Sequence, residues 1–308
     1  MKKNAKIAVI GSINMDLVIK APRIPLPGET LLGRDFSMIP GGKGANQAVA
    51  ASRFNAEVQM IGCLGEDAFG QSLLHLLQQE GIDTRHVAVL PDVSTGIALI
   101  TVSDEGGNTI LLSSGANARL TPEKVRQAEE AIEVADILLL QLEVPLEAIE
   151  EAVLLAKRHD VCVILDPAPA RPLPSALLQK VDIITPNETE ANILVGREPS
   201  DTVDPALMIK SLSAAGVRQT ILTAGENGVY YQAADTVVHS PAYPVQAVDT
   251  TAAGDCFNAG LAVMLAEGRP LDEAIQFAQK AAALSVTRFG AQPSLPMRAE
   301  VEQMDVRG

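Results

Sequence analysis

The chain has 308 residues, 47% hydrophobic and 20% charged, enough for one large α/β domain or two small ones. Lys and Arg number 24 against 38 Asp and Glu, a net charge of −14 that disfavours nucleic acid or an anionic membrane as the main partner. An anionic small ligand remains admissible where local donors and a cation offset the field, and with 3% aromatics and no Trp a nucleobase must lie against aliphatic walls.

Met1-Lys2-Lys3-Asn4 leads straight into an apolar, β-branched run at 6–13, with no signal peptide and no later apolar stretch of spanning length. A cytoplasmic protein is expected. The run reads as a buried strand ending in Gly11-Ser12-Ile13-Asn14-Met15-Asp16, and no G-x-G-x-x-G follows it. Residues 17–42 carry four prolines, which excludes a long helix and suits a flap of edge strands. Gly41-Gly42-Lys43-Gly44-Ala45-Asn46-Gln47 opens a helix without the spacing of a phosphate loop. A strand at 58–63 and a helix at 69–80 follow. Residues 95–114 predict a hairpin turning at Asp104-Glu105-Gly106-Gly107. Together with 15–42 it predicts a small β lid inserted in the chain.

Thr121-Pro122-Glu123 starts a helix, and a regular βα rhythm then sets in. Strands at 137–142, 161–165, 182–185 and 220–223 end in Glu143, Asp166-Pro167, Pro186-Asn187-Glu188 and Ala224-Gly225-Glu226-Asn227-Gly228. This alternation predicts a single α/β domain over 1–308, with a doubly wound, mostly parallel sheet and ligand groups at the strand ends. Cys63, Cys162 and Cys256 are scattered and read as small buried residues, and the four histidines show no metal spacing.

Several of these positions admit a plain reading beside a functional one. Asn14 and Asp16 could build only a turn, Glu143 could be a solvated loop charge, and Asn187 with Glu190 could be only a helix cap. Asp249-Thr250 begins a turn, Thr251 to Gly254 are small, and Asp255 opens a helix carrying Phe257, Leu261, Met264 and Leu265 on one face. In that first turn the N–H groups of Ala252, Ala253, Gly254 and Asp255 lack intrahelical partners and favour an anion. A carboxylate beside such a hole can take a proton while the hole holds a phosphate. It can equally be an ordinary first-turn acid.

Asp249-Thr250-Thr251-Ala252-Ala253-Gly254-Asp255 resembles the C-terminal signature of the ribokinase (PfkB) family of sugar and nucleoside kinases, with Ala252 where the family usually has Gly. The run GGKGANQAVA at 41–50 resembles its N-terminal signature. The resemblance implies a ribokinase-like fold and ATP-dependent phosphorylation of the 5-hydroxyl of a pentose, D-ribose before deoxyribose, fructose or a nucleoside. A non-catalytic sugar-binding regulator is the reading from another class.

It further implies that Asp255 is the proton acceptor and that the N–H groups of 252–255 form the anion hole. Asn14, Asp16, Gly42, Lys43, Asn46 and Glu143 would hold the sugar. Asn187 would lie near the phosphates and Glu190 on the hydration shell of Mg2+, which keeps most of its waters. Thr223, Gly225 and Gly228 would border the nucleotide, and Gln279, where some members have His, would stand in the wall of the adenine slot. Asp249, Thr251, Ser285, Arg288, Gly290 and Ser294 would encircle an activating K+. The lid would cover the sugar and pack on a second lid in a homodimer.

Overall fold

The computed structural model describes residues 4–233 and 236–304. The first half of the chain lays down β1 (Lys6–Ile10), β2 (Asn14–Ala21), β3 (Arg34–Gly41), β4 (Glu57–Gly65), β5 (Asp83–Leu90), β6 (Gly96–Ser103) and β7 (Asn108–Ser113). The second half adds β8 (Ile137–Leu140), β9 (Cys162–Leu165), β10 (Ile183–Ile184), β11 (Gln219–Thr223), β12 (Val229–Ala233) and β13 (Thr236–Ser240). Among the described residues they form a nine-stranded sheet, β13-β12-β11-β10-β9-β8-β1-β4-β5, and a four-stranded sheet, β3-β2-β6-β7. The large sheet is parallel except at β12 and β13, whose pairings are antiparallel.

The apolar runs in β1 and β8 follow from burial on both faces. Ile7, Val9, Ile137 and Leu139 enter one core cluster with the helices Lys43–Arg53, Ala253–Ala266 and Leu271–Ser285. Ala8, Ile10, Leu138 and Leu140 enter the opposite cluster with Leu146–Arg158 and Pro205–Ala214. Strands sandwiched between helix layers lose the polar alternation of half-exposed ones. The chain winds outward from β1 through β4 to β5, then returns to β8 on the other side of β1. That reversal opens a crevice at the carboxyl ends of β1 and β8, where an open α/β sheet holds its ligand.

The small sheet rises beside this crevice. The strand expected over 6–13 stops at Ile10, and β2 starts at Asn14, so Asn14 and Asp16 stand on a lid strand rather than in a turn. The 95–114 hairpin is present, closed by Gly106 N–H to Ser103 O at 3.0 Å and Ser103 N–H to Gly107 O at 2.8 Å. Strand β6 pairs parallel with β2 from Asn14↔Gly96 to Ala21↔Ser103. Period-two alternation then sorts the lid. Asp16, Ile39 and Ala98 share the row that faces the crevice, and all three are buried. Leu17, Met38, Leu99 and Leu111 share a row on the other face, with Met38, Leu99 and Leu111 exposed.

The Ala253–Ala266 helix begins two residues before Asp255 and is buried continuously from Asp255 to Met264, not along one face only. Its sequence is apolar all round because helices pack it on several sides. No helix among the described residues is long and apolar enough to cross a membrane.

Candidate active site

Two helix N-termini meet over the crevice. The Lys43–Arg53 helix starts after Gly42, whose φ of 87° is left-handed and whose absent Cβ would lie 2.7 Å from the Asn14 nitrogen. Only glycine lets the lid strand and the helix start touch here. Glu143, just past β8, accepts the Lys43 N–H at 3.3 Å and the Ser12 hydroxyl in a short hydrogen bond. The expected charge at the end of β8 therefore caps the helix that carries Lys43 and Asn46.

Asp255 is buried. Its Oδ2 accepts from Asn46 Nδ2 at 2.8 Å and its Oδ1 from Gln47 Nε2 at 3.1 Å. Gln47 Nε2 also donates to Asp166 Oδ2 at 2.9 Å, and Gln141 Nε2 donates to Gln47 Oε1 at 2.6 Å. That last bond fixes the Gln47 amide with its two protons toward the two carboxylates. Asn46 Oδ1 is buried with no hydrogen-bond partner.

The charges are unevenly matched. Burial pushes Asp255 up from the ordinary carboxylate value, against the Lys43 ammonium and the two amides that favour its charged form. Burial likewise raises Asp166, again opposed by Lys43. Asp16 is pushed up to about 7 by burial first and then by Glu143 and Asp255. Burial pulls the Lys43 ammonium down, but the carboxylates of Asp255, Asp166, Glu143 and Glu190 outweigh it and hold it above its usual range. One ammonium stands in a field of four carboxylates. Neutral hydroxyl donors suit such acceptors better than a second anion does.

At the start of the Ala253–Ala266 helix, Ala252 adopts the left-handed conformation at φ 62°, which accounts for glycine being usual there. The Ala253 N–H already closes a turn onto Thr250 O at 3.3 Å, so this member of the expected anion hole has a partner in the free protein. Gly254 is exposed, and a Cβ there would meet nothing within 4 Å. Open space thus lies over the helix start beside Asp255.

The residues expected beside the nucleotide lie along the ends of β10 and β11. Asn187 and Glu190 form a reciprocal capping box, each side chain accepting the other's backbone N–H at 2.8 Å. Burial raises Glu190, opposed by the Asn187 N–H. Thr223 bridges to Asn187 and donates its N–H to Pro186 O at 2.9 Å. Gly225 faces open space, whereas Gly228 is pressed on the backbone of Ser240 and Ala242. Gln279 is buried and spends its amide on the 240–241 segment, donating to Ser240 O at 3.0 Å and Pro241 O at 3.2 Å and accepting from the Ser240 hydroxyl. It anchors that segment.

Asp249 knits together the segments expected around a cation. Its Oδ1 accepts from Thr251 N–H and Oγ1, and its Oδ2 from Gly290 N–H at 2.9 Å. Ser285 and Ser294 turn their hydroxyls back to Ala282 O and Ala291 O, and Arg288 pairs with Glu300. A cavity of about 290 Å3 separates this loop from the lid, running from Asp16 past Val18, Ile39 and Ile100 to Val248 and Phe289.

Ser12, Gln47, Asn117, Gln141 and Asp166 join this hydrogen-bonded cluster, and the family resemblance assigns a role to none of them. Asp166 had a signal, a polar residue at the end of an apolar strand, whereas Gln141 lies inside the strand expected over 137–142, which stops at Leu140. Gln47 lies inside the matched N-terminal run, and Asn117 had no signal at all.

The chain matches the pfkB family carbohydrate kinase model over residues 4–298. It is 46% identical to the ribokinase of Haemophilus influenzae over 294 residues, 96% of each chain. It is 41% identical to the deoxyribokinase of Salmonella typhi over 292 residues, 94% of this chain and 95% of that one. The structure of Arabidopsis thaliana ribokinase complexed with ribose and ATP superposes with a TM-score of 0.91 at 32% identity, covering 98% of both chains. This chain therefore belongs to the pfkB family and is an ATP-dependent carbohydrate kinase.

Proposed function

We propose that the chain transfers the γ-phosphoryl group of ATP to the 5-hydroxyl of D-ribose, giving ribose 5-phosphate. The carrying observation is Asn46, which commits Nδ2 to Asp255 and leaves Oδ1 buried and unpaired in a carboxylate-rich crevice. A buried acceptor without a donor is costly, and a sugar hydroxyl supplies the missing proton. Similarity to ribokinases supports the choice of ribose.

In this reading Asn14, Asp16, Gly42, Lys43, Asn46 and Glu143 bind and orient the sugar. Asp255 accepts the proton of the attacking hydroxyl; burial favours its protonated form, while Lys43 and the amides of Asn46 and Gln47 favour the carboxylate. The N–H groups of Gly254 and Asp255 face the charge that develops on the transferred group, with Ala252 and Ala253 shaping the turn. Transfer is loose in character, so positioning and fixed dipoles outweigh base strength. Thr223 and Gly225 border the nucleotide, while Gly228 and Gln279 hold its wall.

Mg2+ bound with the nucleotide supplies charge neutralisation at the phosphates. Glu190 fits its hydration shell, since burial raises this carboxylate and a nearby cation would relieve that cost. Asp249 ties the 249–251 and 290 segments together, and K+ would be held there by Asp249, Thr251, Ser285, Arg288, Gly290 and Ser294, supplying positive charge beside the helix start. The outward apolar row of the lid supports a homodimer through the lids.

The 41% identity to a deoxyribokinase favours one rival, phosphorylation of 2-deoxyribose. An ADP-release assay across pentoses, hexoses and nucleosides separates them. A site built around a hydroxyl rejects its absence, so ribose should exceed 2-deoxyribose in kcat/KM by at least about tenfold. Equal or reversed preference assigns the rival activity. ADP release with neither pentose contradicts both readings.

A further inference from the structure

Asn117 lies in the short helical turn Gly115–Arg119, 1% exposed, and is not among the residues that the family resemblance assigns. Its Oδ1 accepts the Ile13 N–H at 2.9 Å, and its Nδ2 donates to Ile13 O at 3.2 Å and to Asn14 Oδ1 at 2.7 Å. The backbone of Ile13 offers one donor and one acceptor, so it fixes which end of the Asn117 amide is which. Asn117 then fixes Asn14, because its donated hydrogen bond holds Asn14 Oδ1 on the Asn117 side and orients the amide so that Nδ2 is the end left to donate to a ligand. Gly96 completes the clamp, since a Cβ there would lie 2.3 Å from both amides.

We infer that Asn117 is a positioning residue for sugar specificity, holding Asn14 so that it presents an N–H donor to a secondary hydroxyl of the sugar. The inference rests on the reading that Asn14 meets that hydroxyl. Asp16, Glu143 and Asn46 Oδ1 can only accept when ionised or as placed, so a hydroxyl between them and Asn14 donates one way and accepts the other. A sugar lacking that hydroxyl leaves the Asn14 donor unsatisfied, and the penalty is sharp only while the amide is unable to turn over.

The test is the ratio of kcat/KM for ribose to that for 2-deoxyribose in wild type, Asn14→Ala, Asn117→Ala and the double variant. The active fraction of each preparation cancels in this ratio, so partial unfolding does not disguise the result. Asn117→Ala should lower the ratio by about threefold to tenfold, the loss expected for one hydrogen bond. The double variant should match Asn14→Ala within about twofold, because one residue acts through the other. Asn117→Leu, which fills a similar volume without polar atoms, should give the same fall and serves if the alanine variant does not fold. A ratio lowered by Asn14→Ala but unchanged in both Asn117 variants overturns the inference and leaves Asn117 a packing residue at the lid hinge. A ratio unchanged even in Asn14→Ala overturns the reading of Asn14 and the inference with it.

Discussion

Asn46 and Asp255, 209 residues apart in the chain, share a hydrogen bond of 2.8 Å from Nδ2 to Oδ2. The bond joins the starts of two helices that carry the two signature runs. It makes the position of the candidate base depend on the Lys43–Arg53 helix, and it leaves the amide oxygen of Asn46, Oδ1, buried and unpaired.

Gln47 extends that link to Asp166. Its replacement by Leu would leave Asp255 Oδ1 and Asp166 Oδ2 buried without that donor. Each orphaned group costs about 1–3 kcal/mol, so Gln47→Leu should lower the urea unfolding midpoint of the free protein. It should also reduce kcat, because Asp255 is no longer held from both sides. An unchanged midpoint and turnover would show that the bridge is not needed for either.

Asp16 makes the free protein sensitive to pH. Its folded pKa of about 7 lies above the ordinary 3.8, so the native state binds the proton more tightly than the unfolded chain. The contribution is full below about pH 4 and is lost as pH rises through about 7. Wild type should therefore lose more thermal stability than Asp16→Asn between pH 5 and pH 8. Parallel melting curves for the two proteins across that range would contradict this.

The lid row Leu17, Met38, Leu99 and Leu111 presents adjacent apolar side chains with three of the four exposed. An apolar sheet face of this kind calls for a partner. Light scattering at micromolar concentration should give twice the chain mass of 32.4 kDa. Leu111→Lys should shift the mass toward the monomer. A monomeric wild type removes the dimer.

Asp249 holds Thr251 and Gly290 together immediately before the start of the Ala253–Ala266 helix. Activity in K+ should clearly exceed activity in Na+ or Tris, and Asp249→Ala should abolish the difference. Equal rates in all three buffers would leave the loop a purely structural tie.

The parallel sheet and the lid hairpin were legible because both rest on local patterns, apolar runs ending in turns and a Gly-Gly bend. The β2–β6 pairing was not, since Asn14↔Gly96 joins distant segments and local composition carries no register. The site divides the same way. Asp255, Asn46, Lys43 and Glu143 stand in or beside runs with a recognisable wording, and the structure brings them together. Asn187 and Glu190 illustrate how a plain reading and a functional one coexist, for the capping box is present while the Glu190 carboxylate stays in the field around Lys43. Asn117 was invisible because its role lies in three hydrogen bonds to Ile13 and Asn14, and any buried Asn looks alike in one dimension.

Asp255 is proposed to take the proton of the sugar hydroxyl. Asp255→Asn keeps the size of the side chain and removes the carboxylate, and Asn can still hydrogen-bond the hydroxyl. Steady-state kinetics beside calorimetry of ribose binding separates chemistry from affinity. The expected result is a fall in kcat of about 10²–10⁴-fold, the usual contribution of a general base, with a much smaller change in ribose affinity. Turnover within about threefold of wild type, far short of that range, would contradict the claim and leave Asp255 a helix-start acid.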